Sequence, residues 1–572
     1  MALPNTPSNV IENVSTQAIG FAPILRHYFE KCAIAKIIDH NIPTDPRRKV
    51  LTHGQAAISM ITGILFQTMQ LYRICQFADN TTVLNVILPN IKPEEYFDDR
   101  LGDTLDAIYK HGIGDLELEI TKHMIETFQI QTDICHNDTT SASYFGKAGH
   151  NRDPDSIQIT FGHSKKHRDD LKQLIWSMTV SEDCAFPLFQ HAYSGNKADV
   201  STYVEQWSNL INLLGYKDFL YVADCKLISK ENVAAIFDNE GFFLAPCPMY
   251  ESYTKIFETA LTENDRELLI PYKERINRGF EVPISISHNE KNYPLRMIIL
   301  FDHEVGRVKR SAIDARIKKT RDAFQKLDGQ LNRRKLKSIE SIQKACDSVL
   351  KKYLSNDFFS YQITNSPVTL YKNKHRGRPS DKKETEKRPV HVDQFSVTLT
   401  FHSQAYDIAI AQCGYYPLLT NKPEEALTIE GAMLAHKAQY KNEHTFRRAK
   451  GSYDLEPIYI HYPERIEAYL LLFKIALQIV VLIERTARKN IQQRDRGLDN
   501  FMPNRKDVKN PRTEYLLSAF QYIVAGLLPL PDGAQYGFVS ELNNLQMDIL
   551  KILNVPIECF SFNYLFGSQR FG

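Results

Sequence analysis

Residues 218–248, DFLYVADCKLISKENVAAIFDNEGFFLAPCP, decide the fold class of this chain. The apolar run DFLYVAD predicts a strand that ends at Asp224, ISKENVAAIFDNE predicts a helix, and FFLAPCP predicts a second strand. Strands that alternate with helices are typical of an α/β sheet. We therefore predict an α/β core with Asp224 at the end of one of its strands.

Three strand candidates precede this stretch and open the same core. They are TDICHND at 132–138, SIQITFGHS at 156–164 and QLIWSMTV at 173–180, and a helix beginning near Asp199 follows them. Strands that come first as a meander and then alternate with helices indicate a mixed sheet. Asp138 then lies on the first strand of that sheet.

The N-terminal part of the chain has the pattern of a compact helical domain from residue 20 to about 125. In its second helix, apolar residues recur at three and four positions, and Thr52 is a suitable N-cap residue. After the core, further helices are predicted in 424–450, 463–489 and 540–553.

Residues 251–390 interrupt the core pattern with a basic, mainly helical segment. Apolar residues from Ile313 to Leu350 predict an antiparallel pair of helices with a break near Asp328 and Gly329. Residues 305–352 hold fifteen Lys or Arg against five acids, although the whole chain carries only +2. Concentrated basic charge is expected where a polyanion binds, and a solvated helix face followed by a linker is the alternative.

The composition is that of a globular protein. With 572 residues, 43% of them hydrophobic, we expect two to four domains. The amino terminus lacks a secretory signal pattern, which favours the cytoplasm, and the apolar stretch 468–483 predicts a buried helix because Lys474 and Gln478 interrupt it. The nine cysteines are scattered singly, without zinc-ligand spacing, and are predicted to be reduced core residues.

Three acidic residues are the candidate metal ligands: Asp138, Asp224 and Glu443. Mg²⁺ and Mn²⁺ prefer hard oxygen ligands, and two such ions about 4 Å apart can activate an attacking hydroxyl and neutralise a leaving oxygen. If the fold brings the three carboxylates together, they can therefore support phosphodiester cleavage and joining. Taken singly, Asp138 fits a turn residue and Asp224 fits a helix cap.

The helical phrase EHTFRRAK, residues 443–450, adds cations beside the third carboxylate. Glu443, Phe446, Arg447 and Lys450 follow the spacing i, i+3, i+4 and i+7, which predicts one shared helix face. Arg447 and Lys450 are then expected to bind DNA phosphates. The alternative is an exposed helix with an ion pair between Glu443 and Arg447.

Several ordered blocks resemble DDE transposases encoded by bacterial insertion sequences, in the branch with a helical leader domain and a large insert between the second Asp and the Glu. The blocks are HNDTTSASYFG, FGHSKKHRDDLKQ, SGNKAD, LYVADCKLISKENVAAI, PLLTNKP, EHTFRRAK and IYIHYPERIEAYLLL, with GFAPILRHYFEK, LTHGQAAISMI and LYRICQFAD in the N-terminal domain. The resemblance covers roughly residues 20 to 560.

The resemblance implies an α/β fold with a ribonuclease-H-like mixed sheet core, a helical N-terminal domain and a large α-rich insertion. It implies that Asp138, Asp224 and Glu443 act on two Mg²⁺ ions, for which Mn²⁺ can substitute, and that Lys450 contacts a phosphate. Where the family often carries a tyrosine and an arginine, this chain has His436 and Gln439, which we take as DNA-binding candidates. How the flanking DNA phosphates are held, and whether the ends are processed through a hairpin, therefore stay open.

We expect five segments along the chain. They are a helical N-terminal domain for DNA ends at 1–130, the first part of the core at 131–250, the basic insertion with its linker at 251–390, the second part of the core at 391–490, and a helical tail at 491–572.

Two basic loops are further DNA-binding candidates. The phrase RGRP at 376–379 resembles the core of an A/T-hook, in which Arg376 and Arg378 enter a narrow minor groove. Lys165, Lys166 and Arg168 cluster near the first strands. The alternatives are a linker for the first and a solvated loop, stabilised by Asp169 and Asp170, for the second.

These expectations combine into a transposase that cuts at the ends of an element and joins the freed 3′-hydroxyl to target DNA. Its partners would be the terminal inverted repeats, the target duplex and a second copy of the chain, with no membrane, in the nucleoid-associated cytoplasm. An inactive or domesticated DNA-binding protein of the same fold and a structure-specific nuclease remain the alternatives.

Overall fold

The computed structural model of the chain describes residues 15–47, 51–68, 70–146, 148–162, 168, 170–197, 202–263, 267–333, 335–373, 387–503, 505–529 and 535–567. Its strands are β1 Ser15–Ala18, β2 Ile134–Tyr144, β3 Lys172–Ser181, β4 Pro187–Ser194, β5 Leu220–Val222, β6 Phe242–Pro246, β7 Leu268–Tyr272, β8 Arg275–His288, β9 Lys291–Phe301, β10 Phe359–Asn365, β11 Val368–Asn373, β12 Lys387–Val392, β13 Phe395–Phe401, β14 Tyr415–Thr420, β15 Val524–Pro529 and β16 Gln535–Val539.

The α-helices lie before, between and after these strands. They are α1 Ala22–Lys31, α2 Ile34–Asn41, α3 His53–Leu65, α4 Leu71–Asn80, α5 Val83–Ile87, α6 Asp98–His111, α7 Ile113–Phe128, α8 Tyr203–Leu214, α9 Lys230–Asp238, α10 Glu251–Glu263, α11 His303–Asp328, α12 Ile339–Lys352, α13 Ser403–Ala411, α14 Ile429–Lys437, α15 Tyr440–Arg447, α16 Pro463–Arg494, α17 Thr513–Ser518, α18 Asn544–Leu553 and α19 Phe562–Phe566.

The chain forms two compact units. Unit 1 consists of Met1–Pro248, Ile284–Arg296 and Leu419–Gly572, and unit 2 consists of Met249–Pro283 and Met297–Leu418. The five-segment organisation stays a prediction.

Unit 1 contains a mixed sheet in which five strands are adjacent in the order β4-β3-β2-β5-β6. The first three strands form an antiparallel meander, with β2 paired to β3 from Cys135 opposite Ser181 to Tyr144 opposite Lys172. Strand β5 then pairs parallel to β2, and β6 pairs parallel to β5. The predicted mixed α/β fold is confirmed.

One predicted strand is wrong and one strand was missed. Residues 156–162 pair with a strand only through the bridge of Thr160 to Gln173, because side chains satisfy the backbone instead. The amide of Ile157 donates to Glu467 Oε1 at 3.0 Å, and that of Gln158 donates to Ser194 Oγ at 2.9 Å. The third strand of the meander is β4, whose pairing partner is β3.

Helix α3 begins where the sequence predicts, at the N-cap residue Thr52. Thr52 accepts from the amide of Gln55 at 3.1 Å and donates its own amide to the Gln55 side chain at 2.9 Å, which forms a capping box for α3. The unit also joins distant parts of the chain, since β1 pairs antiparallel with β15, from Ser15 opposite Leu527 to Ala18 opposite Val524.

The long helix α16 is the central helix of unit 1. Among the described residues it is the one helix long and apolar enough to cross a membrane by length and composition, and 94% of its most apolar window is buried. A buried core helix passes the same test, and α16 packs against α3, α6, α18 and β4. The predicted buried helix is therefore confirmed.

Unit 2 contains the predicted helical pair. Helix α11 ends at Asp328 and α12 begins at Ile339, so the break near Asp328 and Gly329 is confirmed. The buried seam packs against the antiparallel pair of β10 and β13, and it comprises Ile313, Ile317, Phe324, Leu327, Leu331, Ile342, Cys346 and Leu350. Basic side chains such as Lys318, Lys319 and Arg321 lie on the exposed face.

A buried ion pair joins α16 to α7. Lys474 and Glu117 are 0% and 1% exposed, and their charged atoms lie 3.2 Å apart. The amide of Gln190 also donates to Glu117 Oε1 at 2.8 Å. Burial raises the pKa of Glu117 to about 7, whereas Lys474 and the amide of Gln190 act to lower it. The charged form of this buried carboxylate is therefore stabilised by these two partners.

We predict that Lys474→Ala lowers the unfolding free energy of unit 1 by about 3 to 5 kcal/mol, because it leaves a buried carboxylate without its counter-charge. Urea titration followed by tryptophan fluorescence measures the change, since both tryptophans, Trp176 and Trp207, lie in unit 1. The double variant Glu117→Gln/Lys474→Met should lose less stability than the single one. An equal loss in both would contradict the electrostatic cause.

Candidate functional site

The register of β2 against β5 aligns the two candidate aspartates. Ile134 pairs with Leu220 and His136 pairs with Val222. Strand β5 ends at Val222, so Asp224 lies two residues beyond its paired part, just as Asp138 lies two residues beyond His136 on β2. Both aspartates are half-buried. The two aspartates therefore follow the paired segments of two adjacent strands at the same distance along the chain.

Asp224 is held in place by two donors. It is the N-cap of a short 3₁₀ turn, Cys225–Leu227, where its Oδ1 accepts from the amide of Lys226 at 2.9 Å. The same oxygen accepts from the hydroxyl of Tyr203 at 2.5 Å. The capping interpretation of Asp224 is thus confirmed, and it fixes the carboxylate at the strand end. The contact of Tyr203 with Asp224 was not predicted from the sequence, because no residue spacing relates α8 to the end of β5.

Helix α15 lies over the face of the sheet that carries Asp138. Asp138 pairs with Met178 and Thr140 pairs with Trp176, so these four side chains share one face. The Phe446 ring of α15 packs edge-on against Trp176, with 5.9 Å between ring centroids.

Asn442 fastens α15 to the same strands. Its side-chain amide donates to the carbonyl oxygen of His136 at 3.0 Å and to that of Met178 at 2.9 Å. Glu443, the next residue along the helix, is exposed. The third carboxylate therefore belongs to a helix that is anchored over the strand of the first.

The helix face predicted for Glu443, Phe446, Arg447 and Lys450 is wrong in part. The stripe that faces the sheet has the same spacing shifted by one residue, and it comprises Asn442, Thr445, Phe446 and Ala449. Phe446 therefore belongs to the buried face, whereas Glu443 and Arg447 are exposed. The Glu443–Arg447 ion pair of the alternative interpretation does not occur between these described side chains.

Lys450 lies beyond α15, in a π-helical turn, Arg448–Ser452. Its ammonium group donates to Thr140 Oγ1 at 2.7 Å and to the carbonyl oxygen of Ser141 at 2.6 Å. It also lies 3.6 Å from a carboxylate oxygen of Glu456. Since Thr140 is two residues after Asp138 on β2, the cation lies close to the first carboxylate.

The two DNA-binding candidates His436 and Gln439 carry no positive charge at neutral pH. His436 is half-buried, and burial together with Lys437 lowers its pKa to about 4, so its imidazole is neutral at pH 7. Gln439 is the N-cap residue of α15 and is also half-buried. Neither side chain supplies a positive charge for a DNA phosphate.

The loop candidates have a mixed outcome. Arg168 is exposed and pairs with Asp170 at 2.8 Å, as the solvated-loop alternative expects for this residue. Lys165 and Lys166, with Asp169, lie outside the described residues, as do Arg376 and Arg378 of the hook-like phrase. Cys225, expected to be packed, is exposed because the chain turns at Asp224 instead of continuing as a strand.

The three candidate carboxylates are hard oxygen donors, which are the ligands that a divalent ion such as Mg²⁺ prefers. Asp138 lies on β2, Asp224 follows β5, the strand that pairs with β2, and Glu443 lies on α15, which is attached to β2 and β3. Within the described part of the chain, however, no three His, Cys, Asp or Glu side chains are grouped closely enough to hold a metal. The metal cage stays a prediction that requires side-chain rotation or movement of α15.

Comparison with known proteins gives a domain match and a weak structural likeness. Residues 14–122 match a family described as "Domain of unknown function (DUF4277)", a domain found in transposase-like proteins. Among solved structures, the chain is similar to the piggyBac transposase in a synaptic complex with hairpin DNA, at 8% identity and a TM-score of 0.25 over 50% of this chain. The chain spans 60% of the length of that transposase chain. No curated protein matches significantly.

We predict that Asn442→Ala lowers the unfolding free energy of unit 1 by about 1 to 3 kcal/mol, because two buried carbonyl oxygens lose their donor. Trp176 fluorescence during urea titration measures the change. Asn212→Ala, at an exposed position of α8, is the matched control and should change stability by about 0.5 kcal/mol or less. Equal effects at both positions would show that Asn442 does not anchor α15.

Proposed function

We propose that this protein is a DNA transposase that cleaves the ends of an element and joins the 3′-hydroxyl to target DNA. The observation that carries the proposal is the register of β2 against β5, which supports a shared site for Asp138 and Asp224 beneath the helix of Glu443. The match of residues 14–122 to a domain found in transposase-like proteins supports the same function.

The proposed core is ribonuclease-H-like. Its support is the order of the strands in unit 1, in which an antiparallel meander of three is followed by two strands parallel to the first. In this proposal the first and fourth strands carry Asp138 and Asp224, and Glu443 comes from a helix packed on the sheet. The order agrees with the meander-then-alternation pattern of the sequence.

In the proposed mechanism, Asp138, Asp224 and Glu443 would hold two Mg²⁺ ions. Such ions, when bound, supply an activated hydroxyl and neutralise charge on the leaving oxygen. The chain's own residues then have positioning roles. Tyr203 and the amide of Lys226 fix the orientation of the Asp224 carboxylate. Lys450, which donates to Thr140 and Ser141, is in position to exchange one of these neutral acceptors for a DNA phosphate.

Joining two element ends in one reaction requires two active sites held together. We therefore propose that the protein acts as a homodimer on DNA, with the terminal inverted repeats and the target duplex as its partners. A basic surface on α11 and α12 is a second proposed DNA contact.

We predict that Asp224→Asn abolishes Mg²⁺-dependent cleavage of DNA containing the element ends but leaves DNA affinity within about twofold. The substitution removes a proposed metal ligand and adds no bulk. Gel analysis of cleavage products and fluorescence anisotropy measure the two properties.

Asp218→Asn is the matched control, because its side chain is 85% exposed in the loop before the same strand. It should cleave as the unaltered protein does. Undiminished cleavage by Asp224→Asn would reject the proposed chemistry.

A second candidate function is DNA binding without cleavage. It is favoured by one observation, that the described side chains form no ready metal-binding group. Calorimetric titration with Mn²⁺ separates the candidates, since binding that is lost in Asp138→Asn and Asp224→Asn supports an enzyme. A nuclease unable to rejoin strands would cleave, but would fail to insert precleaved ends into a target plasmid.

We predict that Lys335→Glu/Lys337→Glu weakens DNA binding and reduces its salt dependence, by about one unit in slope for each phosphate that the protein no longer neutralises. Both lysines are exposed near the start of α12. Affinity measured between 50 and 200 mM salt checks this, with Lys551→Glu on α18 as an exposed control. An unchanged slope would remove this surface from the DNA interface.

A further inference from the structure

A basic pocket of about 400 Å³ opens beside α15 within unit 1. Helices α15 and α16, the residues around the start of α17, and the turn between β3 and β4 form its walls. Its charged lining consists of Lys441, Arg447, Arg448, Arg488 and Arg512 with the carboxylates Glu484 and Glu514, and His444 and Tyr440 complete the polar wall. The pocket therefore carries a net charge of +3 without His444.

The two carboxylates of the pocket are already engaged. Arg448 pairs with both, contacting Glu514 at 2.7 Å and also Glu484. Arg488 pairs with Glu484 at 2.7 Å. These contacts are largely buried, with the Glu484 side chain 10% exposed, so they form a fixed framework beneath the pocket. Lys441 is likewise engaged, since it donates to the carbonyl oxygen of Glu182 at 2.8 Å.

Arg447 and Arg512 carry the surplus charge. Both are exposed, and within the described residues neither forms an ion pair. Both side chains line the pocket together with His444. Two guanidinium groups without an ion-pair partner among the described residues therefore line one pocket, Arg447 from α15 and Arg512 from the residue before α17.

The chemistry of this arrangement fits a phosphate group. A guanidinium presents planar paired donors that match phosphate oxygens, and its charge persists at every physiological pH. The two non-bridging oxygens of a backbone phosphate can each accept hydrogen bonds from one of the two arginines. Solvated surface arginines are the simpler alternative, and the wall shared with His444 and Tyr440 distinguishes this pocket from an open surface.

We propose that this pocket binds a phosphate of the DNA backbone through Arg447 and Arg512, next to the DNA segment that lies at Glu443. Arg447 follows Glu443 by four residues on the exposed side of α15, so the two side chains are neighbours about 5 to 6 Å apart at Cβ. The assignment of the phosphate to substrate DNA rests on the proposed function, whereas the affinity for phosphate does not.

The proposed pocket supplies positive charge for a flanking DNA phosphate. His436 is neutral and half-buried and Gln439 is uncharged, so neither position provides a cation. Arg447 and Arg512 supply two positive charges in the lining of the pocket. Arg512 lies 65 or more residues from α15 in sequence, and no spacing pattern could have linked it to the site.

The test compares Arg447→Gln/Arg512→Gln with the unaltered full-length protein in binding a fluorescein-labelled, mixed-sequence DNA duplex without Mg²⁺. We expect affinity to fall at least tenfold and the slope of log affinity against log salt to fall by about one to two units. Arg512→Lys should retain most of the salt slope, because it keeps the charge. Arg505→Gln, an exposed arginine outside the pocket, is the matched control and should bind normally.

Competition with inorganic phosphate, followed by thermal unfolding, separates the two sources of the ligand. Stabilisation by millimolar phosphate that disappears in the double variant, while duplex affinity and salt slope stay unchanged, would assign the pocket to a free phosphate and overturn the DNA assignment. Unchanged binding of both ligands would overturn the site altogether. The Asp224→Asn variant should keep the full salt slope, so a failure of the cleavage chemistry and a failure of this pocket give different results.

Discussion

The parallel pairing of β2 with β5 is the constraint on which the proposed site depends. Only three residue pairs define it, from Ile134 with Leu220 to His136 with Val222, and each of the two aspartates lies two residues further along its own segment. A shift of one residue would send Asp138 and Asp224 to opposite faces, because side chains alternate along a strand. The meander on one side and β6 on the other hold this register, since both strands are interior to the sheet.

Helix α15 depends on the same pair of strands. Asn442 uses both amide hydrogens on carbonyl oxygens of β2 and β3, so the helix is attached to the sheet by polar contacts as well as by the Phe446 ring. Its exposed side carries both Glu443 and Arg447, and Arg447 lines the basic pocket. A single short helix therefore connects the proposed acidic site with a surface of the opposite charge.

Local patterns predicted what depends on neighbouring residues. The alternation of strand and helix around Asp224, the cap at Thr52 and the buried seam of α11 and α12 all follow from spacing and composition, and the structure contains each of them.

Sequence patterns gave wrong predictions where a distant side chain determines the conformation of the backbone. Residues 156–162 do not form a strand because Glu467, about 310 positions away, takes the amide of Ile157. The predicted buried face of α15 was wrong by one residue. Asn442 is polar, yet it lies on the buried face, where its side chain forms hydrogen bonds. Tyr203 and Arg512 reach the site only through tertiary packing.

The antiparallel pairing of β1 with β15 joins the beginning of unit 1 to a strand near its end. The ribosome adds about 5 to 20 residues per second, so β15 follows β1 by roughly 25 to 100 seconds, during which β1 has no partner strand. The nascent chain would therefore complete unit 1 only late in its own translation. A premature stop before β15 would leave β1 without its partner strand, and an unpaired edge strand is prone to pair with other chains.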